Sequence, residues 1–163
     1  MIVTMNDAQP LQLTELTVEP EWIDYNGHMN VGYYGVAFDR ATDLFIDQLG
    51  MDEAYRDRSR CSTYVLESRT AFVQELKLGE RVTVDVQLLD FDAKRLHYFL
   101  RMLHGEHGAL CACTEIMLMH MDMDTVSGAP MPAAALEKVR RLAQLHRKLP
   151  PPEQIGRAIG IRR

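Results

Sequence analysis

The stretch from Val31 to Leu49 constrains this chain most. Its apolar residues return at three- and four-residue steps: Val31, Tyr34, Phe38, Ala41, Leu44, Phe45 and Leu49. Asp39, Arg40, Asp43 and Asp47 fall mostly between them. The spacing predicts an amphipathic helix of about five turns, with an apolar stripe too broad to leave in water. Asn30 stands in the N-cap position, and Gly50 stands where a left-handed residue would end the helix.

What covers that stripe must come from the rest of the chain. Upstream, residues 11–19 alternate apolar and polar, with a shift of phase near Thr14 that suggests a bulge; Pro20 ends the run. Residues 51–60 read as a short helical turn and a charged loop. Four strand candidates follow with no helix between them: residues 62–73, 80–90, 95–104 and 109–121. The breaks at 77–80, 91–94 and 105–108 carry turn chemistry such as Gly79, Asp92, Gly105 and Gly108. Loops this short join antiparallel neighbours, since a parallel crossover needs about a dozen residues. A last helix is expected over residues 133–146, barred from continuing by Pro150, Pro151 and Pro152. The expectation is an α+β chain forming one domain over residues 1–163. A long antiparallel sheet curls around one central helix, with a C-terminal helix, a frayed segment 1–10 and a tail 149–163.

Charge and composition narrow the function classes. The net charge of −5 conceals an acidic body and a basic end, for residues 137–163 hold eight Lys and Arg against two Asp and Glu. A tail of that sign is expected to attach to its own acidic body. The acidic body, without a recognised motif, argues against nucleic acid as a partner. No apolar run approaches the roughly 18–20 residues that cross a bilayer, so no membrane partner is expected, and the N-terminus lacks signal-peptide features; the expected address is cytoplasmic. Cys61, Cys111 and Cys113 are too few and odd in number for a disulfide framework. Cys111 and Cys113 with His104, His107 and His120 raise a metal site, but strand alternation puts His120 on the face opposite the two cysteines. No metal or other cofactor is expected. Met117, Met119, Met121 and Met123 repeat with period two and read as one face of a strand.

The segment Trp22-Ile-Asp24-Tyr25-Asn-Gly27-His28-Met-Asn30-Val31-Gly-Tyr33-Tyr34 places a carboxylate, a turn and a helix start side by side. The first amides of a helix lack intrahelical partners and carry partial positive charge, so they suit a developing oxyanion. Asp24 could face the same carbonyl as nucleophile or as general base for water. Equally, Asp24 and Asn30 could serve only to turn and cap a loop.

Asp-x-x-Gly-His-Met-Asn followed by an aromatic-rich helix resembles the hotdog-fold acyl-CoA thioesterases of the 4-hydroxybenzoyl-CoA thioesterase class. The resemblance extends in element order over roughly residues 11–121. It implies a hotdog fold, an acyl-CoA substrate, Asp24 as the catalytic carboxylate and the Val31 amide as the donor. Many relatives read Asn-Asn where this chain has Asn30-Val31, a departure that a backbone donor tolerates. It also implies a homodimer, or a tetramer built from it, with sheets joined edge to edge and sites at the subunit boundary. An open sheet edge needs such protection in any case. His28 is a candidate to orient Asp24 or to bond a loop carbonyl, and equally for a purely structural role.

A narrower resemblance is to thioesterases of bacterial carnitine breakdown, which release glycine betaine from betainyl-CoA. A trimethylammonium group favours aromatic faces and carboxylates. Trp22, Tyr25, Tyr33, Tyr34, Phe38 and Tyr64 are candidates for the first and Glu67 for the second, although helix-spaced aromatics also read as core and Glu67 could pair with Arg69. A neutral short-chain or aromatic acyl group, or a non-catalytic acyl-CoA sensor, are the alternatives. Lys77, Arg81 and Arg157 are candidates to meet the CoA phosphates.

Overall fold

In the computed structural model, which describes residues 8–161, the periodic stretch forms helix α1 over Val31–Leu49. Asn30 Oδ1 accepts the Gly32 N–H at 2.9 Å, and Gly50 ends the helix in the left-handed conformation at φ 86°. The buried face is Tyr34, Ala37, Phe38, Ala41, Thr42, Phe45, Ile46 and Leu49. Two residues assigned to the stripe leave it: Val31 is 63% exposed at the helix start, and Leu44 is 39% exposed. The stripe follows the straight helix's own 100° step, which carries Ile46 inward and Leu44 outward.

Strand β1 is Leu11–Thr17, and its register against its neighbour slips between Gln12 and Thr14, which is the bulge that the phase shift implied. Pro20–Trp22 makes one turn of 3-10 helix. After α1, Asp52 caps a short helix α2, Glu53–Ser59, through the Tyr55 N–H. Strands β2 (Cys61–Phe72), β3 (Arg81–Phe91), β4 (Arg95–His104) and β5 (Leu110–Asp122) follow, then a two-residue β6 (Ser127–Gly128). Helix α3 is Ala133–His146. The strands form one antiparallel sheet in the order β1-β3-β4-β5-β2, with β6 beside β5. Alternation sends Leu96, Tyr98, Leu100, Ile116 and Leu118 into one core with the α1 face. The sequence expectation missed β6 because two residues carry no periodicity.

His146 explains how the end of the sheet is sealed. β1 pairs with β3 only as far as Val86, so the Leu88 N–H beyond it has no strand partner there. His146 Nδ1 accepts that N–H at 2.8 Å from the last turn of α3. Burial pushes the His146 imidazole down to about 4. The neutral ring therefore stabilises the fold fully above the unfolded value near 6.5, and the contribution drains away as pH falls toward 4. By pH 4.5 about 2.5 kcal/mol is expected to be lost through this group. Denaturant unfolding at pH 7 and 4.5 checks it: His146→Gln should flatten the pH dependence by about that amount. Equal slopes in the two proteins would acquit His146.

The tail lies on the sheet's other face. Pro150 O accepts from Gln87 Nε2, Gln154 O from Arg69 Nη1, and Gly156 N donates to Glu115 Oε2 at 2.8 Å. The tail attaches to the body as expected, but these three bonds use tail backbone atoms rather than its basic side chains. Among the described residues 150–161 there is no helix or strand. Of the segment expected to fray, residues 1–7 lie outside the described residues.

Candidate active site

The Asp24 loop is a miniature hairpin. Gly27 N donates to Asp24 O and Asp24 N to His28 O, both at 3.0 Å, and Ile23 bridges Met29. Gly27 takes φ 79°, a conformation that a side chain would strain. The hairpin is pinned at two further points: Asn30 N donates to Trp22 O at 2.8 Å, and Met29 N to Leu76 O at 2.7 Å. The second bond ties the loop to the segment that leaves β2, so residues about fifty positions apart in sequence share one cavity.

That cavity, about 320 Å³, is lined by Asp24, Asn26, His28, Met29, Val31, Tyr34, Phe72, Val73, Gln74 and Glu75. Asp24 Oδ1 accepts the Asn26 N–H at 2.8 Å, which fixes the carboxylate through one oxygen. Asn30 caps Gly32, and among the described residues the Val31 N–H meets no acceptor. An acid and an unpartnered helix-start amide thus border the same space, the arrangement that carbonyl attack requires. Tyr34 packs edge-on against Phe72 at 5.1 Å between centroids, and burial raises its phenol.

The His28 ring turns to Glu75, which fits the purely structural reading of this residue. Its Nε2 lies 3.0 Å from Glu75 Oε2, and Glu75 Oε1 lies 3.5 Å from Lys77 Nζ. It braces the loop against the chain after β2. Glu75, Phe72 and Gln74 had no local signal, since they reach the cavity through a non-local bond.

The aromatic cage drawn from the sequence does not assemble within one chain. Trp22 is 2% exposed, stacks on Tyr33 at 5.9 Å, and has Arg40 over its ring at 5.5 Å. Its cation is already supplied by the protein. Tyr25 is 97% exposed and Phe38 is buried in the core. Tyr64 and Glu67 pair with Met119 and Met117 of β5, whereas the alternate residues Ile116 and Leu118 join the core. Alternation therefore turns Tyr64 and Glu67 to the face away from α1. Glu67 borders a separate cavity of about 380 Å³ with Arg69, His97, Glu115, Met117 and tail residues. Tyr34 alone of the proposed cage lines the Asp24 cavity.

The candidate phosphate contacts are likewise spread. Lys77 stands beside the Asp24 cavity through Glu75, Arg157 lines the Glu67 cavity, and Arg81 opens β3. The cysteine and histidine group also has other partners. His120 bonds Tyr55 Oη and Ala129 O, both at 2.9 Å, while His104 stacks on His107. Burial raises the thiols of Cys111 and Cys113.

The model of the thioesterase-like superfamily matches residues 18–139, which spans the Asp24 loop, α1, strands β2 to β6 and the start of α3. This chain belongs to that superfamily. Among curated relatives of this thioesterase-like protein, the betainyl-CoA thioesterase of Pseudomonas aeruginosa is 41% identical, over 94% of this chain and 97% of that one. The L-carnitine dehydrogenase/betainyl-CoA thioesterase of Rhizobium meliloti is 33% identical over 98% of this chain, which spans only 32% of that longer protein. A Staphylococcus aureus protein solved in complex with CoA superposes with a TM-score of 0.88 at 28% identity, covering 94% of this chain and 97% of that one. A crystal structure from Pseudomonas putida, described as that of a thioesterase, gives a TM-score of 0.82 at 29% identity, with 95% of this chain and 99% of that one covered. The sheet curled around α1 is the hotdog fold, as the sequence motif implied.

Proposed function

We propose that this thioesterase hydrolyses a small acyl-CoA, betainyl-CoA to glycine betaine and CoA, as a cytoplasmic homodimer acting in carnitine breakdown. The observation that carries the chemistry is that Asp24 and the unpartnered Val31 amide line one cavity. The thioester carbonyl rests against the start of α1, where the Val31 N–H bonds its oxygen as negative charge develops. Asp24 either takes a proton from water, whose oxygen attacks the carbonyl carbon, or attacks directly to give an anhydride that water then opens. In the first route the C–S bond breaks as the water adduct collapses, and in the second as the anhydride forms; in both the CoA sulfur leaves as thiolate and collects a proton. Asn30 holds the geometry by capping Gly32 and leaving the preceding amide free.

The choice of acyl group is supported by the Pseudomonas aeruginosa relative and by the cavity wall. Asp24 and Glu75 supply two carboxylates, and Tyr34 with Phe72 supplies aromatic surface, a setting that favours a quaternary ammonium over a neutral group. Homodimer formation is supported by β2, which ends the sheet and exposes Tyr64, Val65, Leu66 and Phe72, with Val73 exposed just beyond it.

The test is free-thiol release from betainyl-CoA, its neutral isostere 3,3-dimethylbutyryl-CoA, and an aromatic acyl-CoA. A cation contact of about 1–2 kcal/mol gives betainyl-CoA a roughly 5- to 30-fold higher kcat/KM than the isostere. Equal or better turnover of a neutral thioester would move the substrate to that class. Binding of CoA esters without thiol release would make the protein a sensor.

A further inference from the structure

The sheet face away from α1 carries a second cavity, of about 380 Å³, that hydrolysis leaves unused. Register sets its floor. Glu67 stands opposite Met117, Met117 opposite His97, and Arg69 opposite Glu115. Gly156, Arg157 and Ala158 of the tail cover it. Two carboxylates and two guanidinium groups line this space, yet they do not neutralise one another in pairs. Glu115 is committed elsewhere, with Oε1 2.8 Å from His97 Nε2 and Oε2 accepting the Gly156 N–H at 2.8 Å. Among the described residues, Glu67 and Arg157 form no ion pair and no side-chain hydrogen bond. Arg69 gives Nη1 to Gln154 O at 3.2 Å, while its Nε–H is buried without an acceptor among the described residues. Such an N–H is costly, and native chains retain few of them.

We propose that this cavity binds a small zwitterion, with its carboxylate held by Arg69 and Arg157 and its quaternary ammonium by Glu67 beside Met117. The two guanidinium groups converge at one end. Burial raises the Cys113 thiol, and Arg69 and Arg157 both act against that rise, so both stand near Cys113. Guanidinium groups match a carboxylate in fork geometry and charge. The other end is the Glu67–Met117 row. Glu67 and Arg69 are two residues apart on one strand face, about 7 Å along the strand, which a carboxylate and an ammonium on a short carbon spacer can bridge.

The wall beside Glu67 decides the kind of cation. Met117 offers an apolar, polarisable thioether surface. A quaternary ammonium has no N–H to satisfy and needs only charge and apolar contact. A primary ammonium brings three donors, and Glu67 is the one uncommitted carboxylate that lines the cavity. Glycine betaine has the required form. Under the substrate reading above, the site takes the acid that the chain itself releases; the site's geometry does not depend on that reading.

NMR of the isotope-labelled full chain, titrated with glycine betaine, reads the site directly. The Arg69 Nε–H and the Gly156 amide are expected to shift together and to saturate at millimolar ligand. Arg157→Gln is expected to weaken binding about tenfold and Glu67→Gln about threefold or more. 3,3-Dimethylbutyrate, which keeps the shape and carboxylate without the positive charge, and glycine, which has N–H donors in place of methyl groups, are each expected to bind about threefold more weakly or worse. Shifts confined to the Asn26 amide beside Asp24, or equal affinity in both variants, would overturn the site. Equal or tighter binding of 3,3-dimethylbutyrate or glycine would overturn the zwitterion class. These resonances are read without turnover, so an unmoved Arg69 N–H leaves the hydrolytic reading intact, and absent thiol release from betainyl-CoA leaves the site intact.

Discussion

Asp24→Asn is expected to lower kcat by about 10³-fold and to leave the fold unchanged. The amide of Asn keeps an oxygen able to accept the Asn26 N–H, so the turn that Asp24 Oδ1 now holds survives. What disappears is the negative charge, and with it both the base and the nucleophile. The result should therefore appear as lost thiol release with an unaltered melting temperature. A fall in activity that merely tracks a fall in stability would mean that Asp24 only shapes the loop. Full activity in a folded variant would remove it from the mechanism.

The helix and its ends were legible in the sequence because their causes are local. The 3.6-residue period of α1, the Asn30 cap and the left-handed Gly50 all act within a few positions, and the structure has the helix between those two residues. The β1 bulge was legible for the same reason, since an extra residue shifts alternation wherever it occurs. That Asp24 and the start of α1, the proposed catalytic pair, lie side by side was legible once the turn at Gly27 was recognised, because only six residues separate Asp24 from Asn30. Assignments failed where partners come from far along the chain. Trp22 looks like a cation receptor in sequence, and it is one, but the cation is the exposed Arg40 of α1, nine residues after the motif's Val31. Glu67 sits near the motif in strand order, yet side-chain alternation places it across the sheet from the cavity. Glu75 enters the site because Met29 N finds Leu76 O, a bond that no local pattern announces.

The same reasoning yields a test of the donor, which a side-chain substitution ordinarily cannot reach. Val31→Pro removes the amide hydrogen while placing proline at the first helical position, where its missing N–H costs the helix nothing and its fixed φ suits the start. The preceding residue must be extended for proline to follow, and Asn30 already is, at φ −65° and ψ 143°. Val31 is also largely exposed, so little packing is lost. The helix should therefore form with its cap intact, and kcat should fall about 10²–10³-fold, the usual loss for one oxyanion donor. Val31→Ala, which keeps the amide, is the comparison that separates the donor from the side chain. If proline and alanine behave alike in thiol release, the developing charge is stabilised elsewhere, and the start of α1 serves the fold rather than the reaction. A deficit confined to proline, with KM nearly unmoved, assigns the interaction to the transition state, because uniform binding of the ground state would have raised KM instead.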